Sequence, residues 1–241
     1  MGSLALGLPL YVFPRPFARI ADLSGDDTFI YELGGAALLG YAVALGLGLR
    51  GRVWSPMRFV VLATYSFAAI AFLAGFVSFA SNQINGFVVA VSLWAVIVAW
   101  ALAQILVARR GLVAGPRDVA TWVAIVLALA TLSAAVFGLG PQLPAPFASF
   151  MGYKGTDEYV YRLAGAACFG YAVMGVQELR SLHWDDMRLP NVTALVFNGL
   201  AFLASLFEML GGRGTLLVYL VAIAAGFFTV AIAAVLLRRG R

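Results

Sequence analysis

When the chain is shifted by 130 positions, residues 14–74 align with residues 144–204 without a gap, and 25 of those 61 positions are identical. The identities include Pro-x-Pro-Phe-Ala at 14–18 and 144–148, and Gly-Tyr-Ala-Val at 40–43 and 170–173. Self-similarity at a fixed period is the signature of a repeated structural unit. The sequence therefore predicts a tandem duplication in which each copy folds in the same way.

Composition identifies the environment of these copies. Hydrophobic residues make up 63% of the chain and charged residues only 11%, whereas soluble domains carry about 25% charged residues. The apolar residues occur in runs of about 20, the length of a helix that crosses the hydrocarbon core. Seven spans are predicted, at 29–49, 58–80, 86–108, 118–139, 159–179, 191–211 and 215–237. The predicted fold class is all-α, a polytopic transmembrane helical bundle.

The extra span at 118–139 gives the bundle a 3+1+3 order. We expect a first repeat at 1–111, a linker helix at 112–143 and a second repeat at 144–241. Both repeats then enter the membrane from the same side, as parallel repeats do. Residues 4–13 resemble the outer end of a helix, so the ancestral unit is predicted to have four helices, with part of the first one lost from the first copy.

The basic residues predict the orientation. With the N-terminus outside, eleven arginines fall on one side: Arg50, Arg52, Arg58, Arg109, Arg110, Arg117, Arg180, Arg188, Arg238, Arg239 and Arg241. Five basic residues fall on the other side: Arg15, Arg19, Lys154, Arg162 and Arg213. The positive-inside rule then places the C-terminus in the cytoplasm of a bacterial inner membrane. The excess of positive charge faces anionic lipid headgroups, so no nucleic-acid partner is invoked.

Small residues and tyrosines recur within the first span of each repeat. Ala36 and Gly40 are four residues apart on one helix face, and their counterparts lie at 166 and 170. That spacing lets helices approach closely in lipid, so spans 29–49 and 159–179 are predicted to be central. Tyr41 and Tyr171 lie deep in these spans. Their hydroxyls are expected either to bond to a neighbouring helix, which we favour, or to line a ligand cavity.

Two further expectations concern local structure. Asp27 and Asp157 precede the first span of each repeat, where an N-cap carboxylate would accept free backbone N–H groups. All nine prolines are assigned to loops or span ends, so proline kinks within the spans are not expected. Because transporters commonly use broken helices, this argues against alternating access.

Polar residues at which the copies differ are the candidate functional positions. Glu32 and Arg162 occupy one repeat position with opposite charge, and either pair across the pseudo-axis or reach headgroup water separately. Asn198 replaces Ala68, and Glu208 replaces Ser78. Other polar residues of note are Gln104 in the third span and, at the inner face, Glu178, His183, Asp185 and Asp186.

Several chemistries lack the residues they need. The single histidine, lysine and cysteine are His183, Lys154 and Cys168, which cannot supply a two-histidine haem site, a buried retinal lysine or a His/Cys metal cluster. Phosphate-loop and nucleophile-elbow motifs are also missing. The sequence therefore predicts a protein that is not an enzyme, has no catalytic or metal-binding residues and uses no cofactor; it does not identify any cofactor-binding residues.

Two resemblances accompany these patterns. The 3+1+3 order resembles that of the SWEET sugar transporters, but this chain lacks their Pro-Gln signature in the first helix of each repeat; Pro141-Gln142 falls in an outer loop. The unit Tyr-Arg-Leu-Ala-Gly-Ala-Ala at 161–167, followed by a basic loop that contains Trp184, is similar to small bacterial membrane proteins of the DoxX type. The second resemblance implies a duplicated four-helix bundle and no site residues.

Two functions are compatible with these features. The first is an accessory or assembly subunit of a membrane complex, or a homo-oligomer, that holds lipid, quinone or pigment against its apolar faces. The second is a facilitative transporter for a small neutral solute, with Tyr41, Tyr171, Gln104 and Asn198 along a path between the repeats. A dry interface between the repeats favours the first function, and a water-filled one favours the second.

Overall fold

The computed structural model describes residues 2–51, 53–109 and 116–239, and within them the regular structure is helical with no strand. The ten α-helices are α1 (Gly2–Val12), α2 (Pro14–Ile20), α3 (Thr28–Gly51), α4 (Trp54–Ala80), α5 (Gly86–Ala108), α6 (Thr121–Leu139), α7 (Pro144–Met151), α8 (Glu158–Ser181), α9 (Trp184–Leu210) and α10 (Leu216–Arg239). A short 3₁₀ turn, Gly140–Gln142, extends α6. The all-helical prediction is confirmed. The expected repeat boundary at 111–112 and three of the arginines used for orientation, Arg52, Arg110 and Arg241, lie outside the described residues.

Six helices in the described part of the chain are long and apolar enough to cross a membrane: α3, α4, α5, α6 with its 3₁₀ turn, α9 and α10. They indicate a multi-pass membrane protein. The helix that matches the predicted span 159–179 is α8, which has 24 residues but contains Glu158, Arg162, Glu178 and Arg180. Helix α8 is not among the six helices, so a seventh span stays a prediction.

Helices α3 and α8 form the centre of the bundle, and their partners cross over. Helix α3 packs closely against α9, and α8 packs closely against α4 as well as against α6. Each central helix therefore rests on the long helix that follows the other one in the chain. Helices α5 and α10 lie outside α4 and α9, respectively. Their outward side chains are large and apolar, as in Trp100 (68% exposed) and Ile223 (74% exposed), which suits contact with lipid.

Helices α1 and α6 take matching places beside the central helices. Helix α1 contacts α3 through Gly7 and Gly35, and a Cβ at Gly35 would lie 2.8 Å from the Gly7 carbonyl oxygen. Helix α6 contacts α8 through Gly138 and Gly165, and a Cβ at Gly165 would lie 2.7 Å from the Gly138 carbonyl oxygen. With 11 residues, α1 is far shorter than the 19-residue α6. Helix α1 therefore covers a shorter stretch of α3 than α6 covers of α8.

The placement of the prolines corrects one expectation. Pro9 lies inside α1 and Pro190 lies inside α9, so not every proline is in a loop or at a span end. Helix α9 begins at Trp184, seven residues before the predicted span, and Asp185 and Asp186 occupy its first turn. Carboxylates there interact favourably with the positive end of the helix dipole. This early start places Pro190 in the second turn.

Candidate functional site

A buried carboxylate at the start of each central helix binds the loop that leads into the other central helix. Asp157 accepts hydrogen bonds from the backbone N–H groups of Ser24 and Gly25, both at 2.9 Å, and from the Ser24 hydroxyl at 2.8 Å. The Tyr31 hydroxyl donates to the same carboxylate at 2.5 Å. One carboxylate thus fixes a loop and a helix that precede it by more than 120 residues.

The reciprocal contacts use the positions 130 residues away. Asp27 accepts from the backbone N–H groups of Lys154 (3.2 Å) and Gly155 (2.8 Å), and from the Tyr161 hydroxyl (2.8 Å). The expectation that Asp27 and Asp157 serve as helix caps is therefore wrong, and the Asp157 side chain makes no capping bond. Each carboxylate instead satisfies loop N–H groups of the opposite half. We call Asp27, Tyr31, Asp157, Tyr161 and the two loops the outer clasp.

Glycine is required in both loops of the outer clasp. Gly25 and Gly155 have φ angles of +68° and +74°, values that side chains other than glycine adopt at a cost. A Cβ at Gly25 would lie 2.8 Å from Ala18 Cβ, and a Cβ at Gly155 would lie 2.9 Å from Ala148 Cβ. The Pro-x-Pro-Phe-Ala segments thus form α2 and α7, against which the two loops fold.

The tyrosines predicted to be special lie between the central helices. The Tyr41 hydroxyl donates to the Ala167 carbonyl at 2.9 Å, and the Tyr171 hydroxyl donates to the Ala37 carbonyl at 2.9 Å. Their ring centroids are 4.7 Å apart. Nearer the outer clasp, a Cβ on Gly34 would lie 3.4 Å from Ala164 Cβ. The interface between the central helices is thus closed by tyrosine rings and close backbone contact, with both hydroxyls satisfied.

The pair between Glu32 and Arg162, one of the two alternatives for these residues, is not formed. Arg162, which is 9% exposed, pairs with Glu158 one turn earlier at 2.7 Å, and its Nη1 has no hydrogen-bond partner. The reason is spacing, because Glu158 lies four residues away on the same helix face. Glu32 lies in the first turns of α3 with its Oε2 buried and without a hydrogen-bond partner.

Glu208 forms an ion pair with Arg213, which follows the end of α9. Two hydrogen bonds, at 2.8 and 3.0 Å, join the Arg213 guanidinium to the carboxylate. The Thr28 hydroxyl also donates to Glu208 at 3.3 Å. The hydrogen bonds that Arg213 donates to Glu208 raise the pKa of Arg213, and the negative charge of Glu208 adds to the shift. Together with Thr28, this pair joins the end of α9 to the start of α3.

A cavity of about 70 Å³ lies between the α6–α8 pair and the α9–α10 pair. Helix α6 packs closely on α8, and α10 packs closely on α9, whereas the two pairs meet along fewer residues. Most of the lining is apolar, and its polar members are Thr131, Ser133, Cys168, Tyr171, Glu178 and Asn198. Two predicted residues, Tyr171 and Asn198, therefore lie at this cavity. A third, Gln104, is exposed on α5 and lies elsewhere.

Glu178 is the one ionisable carboxyl group of the cavity lining, and it is 3% exposed. Its Oε1 accepts a hydrogen bond from the Asn191 amide at 3.0 Å, and that amide also donates to the Met187 carbonyl at 2.8 Å. Among the described residues, no donor reaches Glu178 Oε2 and no cationic side chain lines the cavity. An ionisable group placed this way inside a membrane protein is a candidate for function.

The matching space in the first half of the chain is filled. Trp94 occupies the position 130 residues before Ala224, which lines the cavity. The Trp94 ring packs against the core, with its centroid 6.0 Å from that of Phe67, and it also lies against Gly2. Gly48 takes the place of Glu178, and Met57 packs over it.

Sequence reasoning noted Glu178 as a difference between the copies but placed it at the inner face. It did not single out Asn191 or the exchange of Trp94 for Ala224. The alignment at 130 residues carries the signal for all three positions. No group of three or more His, Cys, Asp or Glu side chains within residues 2–51, 53–109 and 116–239 is arranged to hold a metal ion.

Comparisons with known proteins give no relative for this architecture. A scan of family models, a search of curated proteins and a search of solved structures each returned no match.

Proposed function

We propose that this chain is a non-catalytic accessory subunit of a bacterial inner-membrane complex, and that it holds a lipid-like molecule in the cavity between α6, α8, α9 and α10. The observation that carries the proposal is the difference between the halves. Ala224 leaves space where Trp94 fills it, and Glu178 adds a buried polar group where Gly48 has none. A mainly apolar cavity with a few convergent polar groups is the usual form of a ligand site.

The proposal includes a tandem duplication with an outside N-terminus and a cytoplasmic C-terminus. Matching contacts at positions 130 residues apart, in the outer clasp and at Tyr41 and Tyr171, support the duplication. The uneven distribution of arginines supports the orientation. The exposed apolar side chains of α5 and α10 offer surfaces to the bilayer, to partner subunits or to a second copy.

The alternative is facilitative transport of a small neutral solute between the halves. Such a path requires a wet passage between α3 and α8. That interface instead holds Tyr41 and Tyr171, with rings 4.7 Å apart and hydroxyls bonded across the helices. Gln104, assigned to the path, is exposed on α5. These observations favour the accessory subunit over the transporter.

The test is to identify what the protein carries when it is purified in mild detergent. Native mass spectrometry of the wild-type chain is expected to show a retained lipid-like molecule, a partner subunit, or both. Ala224→Trp copies the first half and should reduce retention of the molecule at least about tenfold, a loss of about 1.4 kcal/mol of binding free energy.

The matched control is Ala128→Trp, which adds the same bulk to an exposed position on α6 and should leave retention unchanged. A wild-type chain that carries neither a bound molecule nor a partner would contradict the proposal. Uptake of a neutral solute into proteoliposomes would favour the transporter instead.

A further inference from the structure

The dimensions of the cavity restrict the ligand, and this inference rests on the proposed function. Its lining on α8 extends from Cys168 to Glu178, and ten residues of helix correspond to about 15 Å. This is half of the hydrocarbon core, which is about 30 Å thick, and so matches one leaflet. A lining of this length along one helix suits a single acyl chain.

The carboxyl group of this space lies towards one end. Glu178 lies three residues before the end of α8 at Ser181, about 4.5 Å along the helix axis. The opposite end is lined mainly by apolar side chains, including Leu33 and Phe137, and also by the Cys168 thiol. In a bilayer, the ester groups of a lipid lie at the edge of the hydrocarbon core, and its acyl chains extend inward. The cavity has the same order of polar and apolar groups.

The chemistry of Glu178 favours a neutral partner with a hydrogen-bond acceptor. An ionised carboxylate in apolar surroundings is costly unless a cation accompanies it, and among the residues that the structure describes no Lys or Arg lines the cavity. A carboxyl group that carries its proton has one O–H donor. Because Oε1 already accepts from Asn191, Oε2 is the oxygen from which that donor can reach a ligand.

We propose that the cavity takes one acyl chain of a membrane lipid, and that Glu178 donates a hydrogen bond from Oε2 to the ester carbonyl of that chain. A phospholipid and a diacylglycerol share this chemistry. The proposal predicts that the protein distinguishes an ester-linked chain from an ether-linked one, since the ether has no carbonyl.

The experiment uses two phospholipids that differ only in this linkage. The wild-type chain is placed in nanodiscs with equal amounts of dioleoyl phosphatidylglycerol and its dialkyl ether analogue, and the lipid retained after transfer to detergent is measured by native mass spectrometry. We expect the ester lipid to be retained about fivefold to tenfold more than the ether, as one buried hydrogen bond allows. A parallel sample with dioleoylglycerol shows whether the phosphate headgroup is needed.

Three variants separate the possible results. Glu178→Gln keeps an N–H donor and should keep the preference for the ester, whereas Glu178→Leu should remove it. Ala224→Trp should abolish retention of both lipids. Equal retention of ester and ether by the wild-type chain would overturn the ester contact while leaving the cavity as a lipid site.

Other outcomes are equally decisive. If Ala224→Trp retains lipid as the wild type does, the cavity is not the site and the proposed function fails with it. A lipophilic cation such as tetraphenylphosphonium that displaces the lipid from the wild type, but not from Glu178→Gln, would show that Glu178 acts as a counterion. That result would replace the ester proposal.

Discussion

The first half of the chain, residues 2–109, and the second half, residues 116–239, agree where they touch each other and differ away from that interface. The outer clasp and the tyrosine contacts occur once in each direction, with matching atoms. Away from the interface, the Trp94 ring lies against Gly2 and fills the space at this position of the first half. At the matching position of the second half, the smaller Ala224 lines a cavity. The shared residues hold the halves together, and the residues that differ create the candidate site.

Among the substitutions considered, one in the outer clasp is expected to reduce the free energy of unfolding most. Asp157→Ala removes the acceptor for four donors and leaves the Gly25 N–H buried without a partner. Hydrogen bonds to charged groups contribute about 1.5–3 kcal/mol each, and since they share one carboxylate we expect a loss of at least about 3 kcal/mol. Thermal unfolding in detergent measures the loss as a fall in Tm.

Two control variants test the origin of that loss. Asp27 accepts from three donors rather than four, so Asp27→Ala should destabilise somewhat less. Asp26 lies beside it with a partly exposed side chain, so Asp26→Ala should have little effect. A full-size loss from Asp26→Ala would show that the clasp bonds are not its source.

The filled space of the first half gives the second prediction. Trp94→Ala should open a cavity in the first half like the one already present in the second. Truncation of a large core side chain costs about 3–5 kcal/mol, and because Trp94 is half-buried we expect the lower end of that range. Trp100→Ala, at a 68% exposed position on the same helix, is the control and should change the Tm little.

Measuring how much lipid the Trp94→Ala chain retains extends this comparison of the two halves. A Trp94→Ala chain that binds a second lipid would show that space alone is sufficient for binding. If the variant binds no additional lipid, the polar contribution of Glu178 is needed as well, because Gly48 occupies its place in the first half.

Part of this architecture could be predicted from sequence because it depends on local patterns. Apolar runs of membrane length predicted the helices, and the small residues of 29–49 and 159–179 predicted central positions for α3 and α8. The preferred partner for the tyrosine hydroxyls, a neighbouring helix, is the one observed. These features follow from the needs of any helix in lipid.

The errors concern the choice between local contacts and contacts across the two halves. Asp157 lies where a helix cap is expected, yet its carboxylate accepts hydrogen bonds from the loop N–H groups of the other half. Arg162 shows the reverse, because it pairs with a neighbour one turn away and not with Glu32, its partner in one of the two alternatives. The cavity was missed since it depends on which helices are neighbours, and the crossing of α3 onto α9 and α8 onto α4 is not encoded in any single segment.

The close contact between the central helices gives the third prediction. Gly34 lies against Ala164, so Gly34→Leu should force the helices apart and cost about 1–3 kcal/mol, as overpacking does. Gly46, on the same helix, has open space around its Cα. Gly46→Leu should be neutral or stabilising, by up to about 1 kcal/mol from helix propensity. Equal effects of the two variants on the Tm would show that the contact at Gly34 is not tight.

The tyrosine pair gives the smallest effect and the most direct test of symmetry. Tyr41→Phe and Tyr171→Phe each remove one hydrogen bond to a carbonyl of the opposite central helix and keep the ring. Each should cost about 1 kcal/mol, and equal losses are expected if the two contacts are equivalent. Since Tyr171 also lines the cavity and Tyr41 does not, only Tyr171→Phe should alter lipid retention. A larger Tm loss for Tyr171→Phe that disappears after delipidation would assign the difference between the halves to the bound molecule, because the hydrogen bonds themselves are the same.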